Sequence, residues 1–140
     1  MAVTAANVRP LTGAQIRQYT AGGSLTVGNT AYIAADGDVE AGDANLAISA
    51  AVIGIIVAVA DTTGATTAAA GDAVSVCVFG PVGGFSSLNE GALQYVSETA
   101  GAITETAPSG AGTWTHVVGY AEDDDVLFVQ PGVAAPTSNS

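Results

Sequence analysis

Val74-Ser75-Val76-Cys77-Val78-Phe79-Gly80-Pro81 is the stretch that decides the fold class. Val74, Val76 and Val78 alternate with Ser75, Cys77 and Phe79, the period of two that sends successive side chains to opposite faces of a strand. β-branched residues at every second position favour that extended backbone. Gly80-Pro81 then reads as the strand's end, because proline cannot donate to a ladder. Working outward, the same grammar recurs. Residues 25–27 and 30–34 are candidate strands around Gly28-Asn29, with turns at Asp36-Gly37-Asp38 and Ala41-Gly42-Asp43. Residues 52–60 form a long buried strand bent at Gly54, followed by a polar connection from Asp61 to Gly71. Residues 93–97 and 102–106 read as a hairpin through Thr99-Ala100-Gly101. Residues 115–121 and 126–130 read as another, turned by Glu122-Asp123-Asp124-Asp125.

Eighteen Gly and five Pro argue against long helices, and aromatics at 6% leave a thin core of Ala and Val. The expected fold is therefore all-β, a small β-barrel or β-sandwich. The uncharged run 44–60 is shorter than the roughly 20 residues a spanning helix needs. It is flanked by Asp43 and Asp61 rather than by Lys or Arg, so a buried strand is the better reading. The chain also rhymes with itself. Tyr32 precedes Gly54 by nearly the same offset as Tyr95 precedes Gly119, and an acidic or Gly-rich bend lies between each pair. Either a duplicated β unit of about 65 residues or chance in Ala/Val/Gly-rich text accounts for this.

The first 24 residues differ from the rest: they hold both cations, Arg9 and Arg17, and no acid. Thr12-Gly13-Ala14-Gln15 has capping-box spacing, which suggests a short helix over 14–19. An extended arm that orders against a partner is the equal alternative, because so short a helix nucleates poorly. Ala21-Gly22-Gly23-Ser24 reads as a hinge. The expected organisation is an N-terminal arm (1–24), a β domain (25–132) and a disordered Pro/Ser/Thr/Asn tail (133–140). In the arm, Arg9, Ile16, Arg17 and Tyr19 are the candidate contact residues.

The formal net charge is −11, from 13 acids against two arginines. Nucleic-acid binding relies on clustered Lys or Arg to displace counterions, so nucleic acid is not an expected partner. An anionic membrane would repel the chain. The acidity instead favours solubility at high local density, as suits a protein displayed in many copies. Met1-Ala2-Val3-Thr4-Ala5-Ala6-Asn7 has no apolar signal core before Arg9-Pro10, which points to cytosolic synthesis.

Little in the chain suggests catalysis. Nucleophilic chemistry needs a nucleophile, a base and an orienting partner. The single Cys77 reads as a buried apolar residue, and His116 as a structural or surface residue on a strand. No enzyme and no cofactor is expected. Asp36, Asp38 and Glu40 alternate like the start of a calcium loop, but Ala47 stands where its bidentate Glu belongs. Asp123 and Asp125, within the run of four acids, are the other metal candidates. For that run a solvated turn that blocks edge-to-edge pairing is the main reading, and calcium or magnesium screening the repulsion is the alternative. Trp114, after a Gly-Ala-Gly-Thr loop, is either an interface anchor or a core residue at a strand's start. Tyr32 and Tyr95 are expected to cap the core.

Ala69-Ala70-Gly71-Asp72-Ala73-Val74-Ser75-Val76, closing in Phe79-Gly80-Pro81-Val82, resembles a strand of the capsid decoration (cement) proteins of tailed bacteriophages. Glu90-Gly91-Ala92-Leu93-Gln94-Tyr95-Val96, running through Gly101-Ala102-Ile103-Thr104 to Thr106-Ala107-Pro108, is similar to a phrase common in phage structural proteins. Val117-Val118-Gly119-Tyr120-Ala121 matches the strand that typically follows it. The resemblance covers residues 50 to 132 and rests on turn and strand grammar. It implies a small β domain, often a homotrimer, on the outer surface of the virion head. There it would bridge neighbouring subunits of the major capsid protein and hold the shell against packaged DNA. A tail-fibre or baseplate module and a calcium-dependent carbohydrate-binding module are the alternatives.

Overall fold

The computed structural model describes residues 2–60 and 62–140. Met1, the first residue of the expected arm, and Asp61, the first of the expected polar connection, lie outside the described residues. The chain opens with β1 (Ala2–Val3), a 3-10 turn (Ala5–Asn7), β2 (Arg9–Pro10), β3 (Gln15–Thr20), β4 (Leu25–Thr26), β5 (Thr30–Ile33) and β6 (Val39–Ala41). A one-turn helix α1 (Ala47–Ala50) precedes β7 (Gly54–Val59), β8 (Thr67–Ala68) and the long β9 (Ala73–Gly83). There follow β10 (Phe85–Ser86), β11 (Leu93–Val96), β12 (Ile103–Thr104), β13 (Thr113–Thr115), β14 (Val117–Ala121), β15 (Val126–Val129) and β16 (Thr137–Asn139).

The protein is nearly all β, and its main sheet is antiparallel and curled into a half-barrel. Ten strands form it, in the order β12-β11-β14-β15-β9-β7-β5-β6, with β2 and β3 also paired to β9. Strand β9 is the spine. Its first half lies between β3 and β7, so Cys77 faces both Ile16 and Ile55. Its second half lies between β2 and β15, so Val82 faces both Pro10 and Leu127. Val74, Val76, Val82, Ile56, Leu127 and Val129 meet in the core with Val39, Val96 and Val118. Burying each such side chain stabilises the fold by about 1.5–3 kcal/mol.

The strand expected to end at Gly80-Pro81 continues through both residues. Gly80 adopts φ +114, a backbone region that side chains with a Cβ rarely enter. Ala14 also presses on it, since a Cβ on Gly80 would sit 2.7 Å from the Ala14 Cα. Pro81 keeps its place in the ladder opposite Phe128, and its carbonyl accepts the Leu11 N–H at 2.9 Å. The punctuation residues therefore kink the spine and re-aim it; they do not stop it.

The N-terminal segment is extended, but it is laid on its own domain. From Arg9 to Thr20 it runs antiparallel along β9, replacing the short helix suggested for 14–19. Pairing with a fully formed neighbour outweighs the capping-box signal, because six helical residues could not repay nucleation. The expected hinge is equally tied down. Ala21 is fully buried, its N–H donates to the Asp72 carbonyl, and the Gly22 N–H donates to Val39. The tail expected to be disordered returns as β16, paired with β13 at Thr113–Asn139, Trp114–Ser138 and Thr115–Thr137. The candidate strands at 25–27 and 30–34 are present as β4 and β5; β4 pairs with β8, and β5 with β6 and β7.

The internal rhyme corresponds to a repeated strand pattern. In the first half β5 lies between β6 and β7; in the second β11 lies between β12 and β14. Tyr32 pairs with Glu40 and Tyr95 with Thr104, the same step beyond each tyrosine strand's turn.

Candidate interaction surface

The acids concentrate in turns and strand ends, while β3, β9, β14 and β15 contain none. Sheet interiors cannot host unpaired carboxylates cheaply, whereas turns keep them hydrated. An acidic molecule is thus left with acid-free sheet surface and edge.

Strand β3 is the most open part of that surface. Five of its six residues are exposed, with Tyr19 half-buried, and among the described residues it pairs only with β9, leaving its other edge free. Arg17 stands opposite Val76 and Ile16 opposite Cys77. Ile16 is 41% exposed, and among the described residues Arg17 forms no ion pair. Arg9 lies on β2 at the same side of β9; its guanidinium covers Gly83 and donates to the Asn7 carbonyl at 3.1 Å. The fourth candidate, Tyr19, is half-buried, faces Val74 and packs against the core, where it anchors the strand.

The other candidates are placed as follows. Trp114 is half-buried within β13, its N–H donating to the Ala44 carbonyl at 2.8 Å. It is held between the tail strand and the loop before α1 and does not stand at a loop tip. Asp36 accepts the Asp38 N–H at 3.0 Å, so these acids build the β5–β6 turn. Asp36, Asp38 and Glu40 do not converge: among the described residues the one trio of close ligating groups is Asp123, Asp124 and Asp125, within 4.8 Å of one another and exposed. Tyr32 is half-buried against the core; burial, and then the charges of Glu40, Asp43 and Asp36, raise its pKa. Cys77 is fully buried, and burial pushes its thiol up. His116 is buried beneath Gly132, and that burial lowers its pKa.

Sequence reasoning missed two polar anchors. Gln94, fully buried opposite Gly119, donates to the Glu105 carboxylate at 3.0 Å, and Asn89 donates to it twice, from its backbone at 2.8 Å and its side chain at 2.6 Å. Gln94 Oε1 is buried without a hydrogen-bond partner. The Asn139 amide donates to the Pro108 carbonyl and to both Thr113 and Thr115 hydroxyls. Neither cluster has a sequence signal, because the side-chain bonds that Glu105 accepts from Asn89 and Gln94 and the one from Asn139 to Pro108 span 11 to 31 residues. No protein-family model and no curated protein matches the chain.

Proposed function

We propose that the chain is a structural protein of a tailed-phage virion, bound to the outer surface of the head, where it stabilises the capsid by bridging major capsid protein subunits. The observation that carries this reading is strand β3: free along one edge, exposed on both faces, and sharing with β2 all the positive charge of a −11 molecule. A free edge offers a row of backbone donors and acceptors to an extended segment of another chain, and main-chain pairing supplies affinity without reactive groups. Arg9 and Arg17 fit acidic groups flanking such a segment, which also fixes register. The phrases resembling decoration proteins fall on β9, β11, β12 and β14 and support the reading from the sheet side.

Removing residues 1–20 would not test this reading. It would strip one edge from β9 and take Val8 out of the core, so lost binding would report lost folding. The test is charge reversal. Heads assembled without the chain are incubated with purified wild-type protein or with the Arg9→Glu/Arg17→Glu variant, and occupancy is read by cryo-microscopy. Wild type should decorate the head, and the double reversal should bind about tenfold more weakly, in keeping with exposed pairs of up to about 1 kcal/mol each. Labelling of the tail, no labelling, or equal binding by the two proteins would refute the proposal.

A further inference from the structure

A second surface lies on the half of the sheet away from β3. The registers align Leu93 with Tyr120, Tyr120 with Phe128, and Phe128 with Pro81. These four residues therefore form one row across four adjacent strands, about 15 Å long at the usual strand spacing. The row occupies the face opposite to Leu127, Val129 and Val82, which are fully buried. The two ends of these strands differ. At one end the exposed Phe79 borders an apolar cleft of about 550 Å³ walled by Val78, Val117 and Pro131, with Val133 at its rim and no charged residue in its lining. At the other end stand Glu90 and the run Glu122-Asp123-Asp124-Asp125, five of the 13 acids and all exposed. The Gly91 N–H donates to the Ala121 carbonyl at 2.7 Å and the Glu122 N–H to that of Val126 at 2.9 Å, which sets Glu90 beside the run. Three of these carboxylates crowd within 4.8 Å of one another. Arg9, lying over Gly83 next to Val126, is the one arginine near this end, and among the described residues it forms no ion pair.

We infer that this face receives an extended segment of a partner protein that carries Lys or Arg at one end and bulky apolar side chains at the other. The two ends of the face select that chemistry independently. Crowded carboxylates attract a cationic group and repel an anionic one. The cleft takes an apolar side chain, because seating one there removes both it and Phe79 from water. Val117, in the cleft wall, and Glu122, in the acidic rim, are five residues apart along one strand and its end. At about 3.4 Å per residue the two features lie about 17 Å apart, so an extended segment of about six residues bridges them over Tyr120 and Phe128. Other occupants match the face less well. A second copy brings its own acids to this rim, while nucleic acid or an anionic membrane brings phosphate, and each is repelled. A neutral sugar gains nothing from the carboxylates and stacks on open ring faces. Here Tyr120 and Phe128 stack on each other at 5.2 Å, and Phe79 meets Phe128 edge-on at 5.1 Å. The contact is small beside a standard interface, so it is weak and reversible. Adding salt weakens it further, because screening acts on its ionic end.

This inference does not rest on the proposed capsid role, and its test uses the purified full chain without particles. The probe is a synthetic nine-residue peptide with three lysines at one end, a Gly/Ser spacer, and three leucines at the other. It is titrated into isotope-labelled protein while amide shifts are followed by NMR. Two control peptides carry glutamates in place of the lysines, or serines in place of the leucines. The full peptide should shift amides within 117–122, 126–130 and 132–133 and spare those of β3, and its affinity should fall several-fold in high salt. Each control peptide should bind at least tenfold more weakly. Glu122→Gln/Asp123→Asn/Asp125→Asn, at the rim, and Phe79→Ser, at the cleft, should each weaken the full peptide at least tenfold with unchanged circular dichroism. Because these variants lie at opposite ends of the face, a folding defect in one leaves the other as the test. Ile48→Ser, on the short helix α1 outside the face and 49% exposed, should bind as wild type does. No binding at millimolar peptide, equal binding of the three peptides, or shifts confined to β3 would overturn the inference. So would a neutral glucan that shifts this face when the peptide does not. Failure of the capsid reading would leave all of these shifts as they are.

Discussion

Gly54 and Gly119 occupy matching positions in the two repeated strand patterns. Gly54 faces Ala31, the residue before Tyr32, and Gly119 faces Gln94, the residue before Tyr95. A Cβ on Gly54 would run into the Cys77 carbonyl oxygen, and one on Gly119 into that of Phe128. In each half the neighbouring strand therefore comes so close that a hydrogen atom is the only side chain with room. Gly54→Ala and Gly119→Ala should each destabilise the protein by about 3 kcal/mol, since backbone carbonyls cannot rotate away as side chains do. Urea denaturation measures this, and Gly37→Ala serves as the comparison. Gly37 has open space around it but a φ of +89, so its penalty should be smaller, about 1 kcal/mol.

Asn139 ties the tail to the 108–115 loop through its side-chain NH2, whose two hydrogens are shared among three acceptors. Asn139→Ala should cost about 1–2 kcal/mol, because the Thr113 and Thr115 hydroxyls lose their donor together while the Pro108 carbonyl keeps only the Thr115 hydroxyl. Hydrogen exchange at the Gly112 amide, which donates to the Asn139 carbonyl, should accelerate as β16 detaches. Unchanged exchange there would show that the tail is not held by this side chain.

Glu105 gives the acid limb of stability a local reporter. The Asn89 backbone N–H, then the Gln94 and Asn89 side-chain amides, hold its carboxyl below the usual carboxylate range. A depressed carboxylate contributes stability that is present above its unfolded pKa and is lost as pH falls through the lower folded one. The Asn89 amide should therefore stay protected from neutral pH down past the ordinary carboxylate range, then lose protection on further acidification. Glu105→Gln should remove that acid-dependent step in NMR-detected exchange.

His116 works with the same sign for a different reason. Burial lowers its pKa, and the hydrogen bond with the Gly132 backbone offsets part of that effect. The folded state therefore holds its proton less tightly than the unfolded chain does. Stability should be full above the ordinary histidine pKa of about 6.5 and decline as pH drops from there through the lower folded value. The Gly132 N–H, which donates to the Val117 carbonyl at 3.0 Å, should exchange faster over that window. His116→Gln should flatten the dependence.

What the sequence determined by itself is local. Alternating Val in 74–78 prescribed an extended backbone, the acid runs marked turns, and Cys77 among valines was destined for burial; each follows from a residue and its near neighbours. The recurrence of Tyr32…Gly54 as Tyr95…Gly119 was visible for the same reason, as text.

Tertiary structure alone decided who pairs with whom. Whether residues 9–20 would be a helix, a free arm or the edge strand of β9 turned on a partner more than 50 residues away, and the tail's return to β13 is equally non-local. Gly80-Pro81 is punctuation in isolation and a kink in context, because the ladders of β2 and β15 carry the chain across it. The row from Leu93 to Pro81 exists only once four registers are set, since a shift of one residue would turn every one of those side chains to the other face.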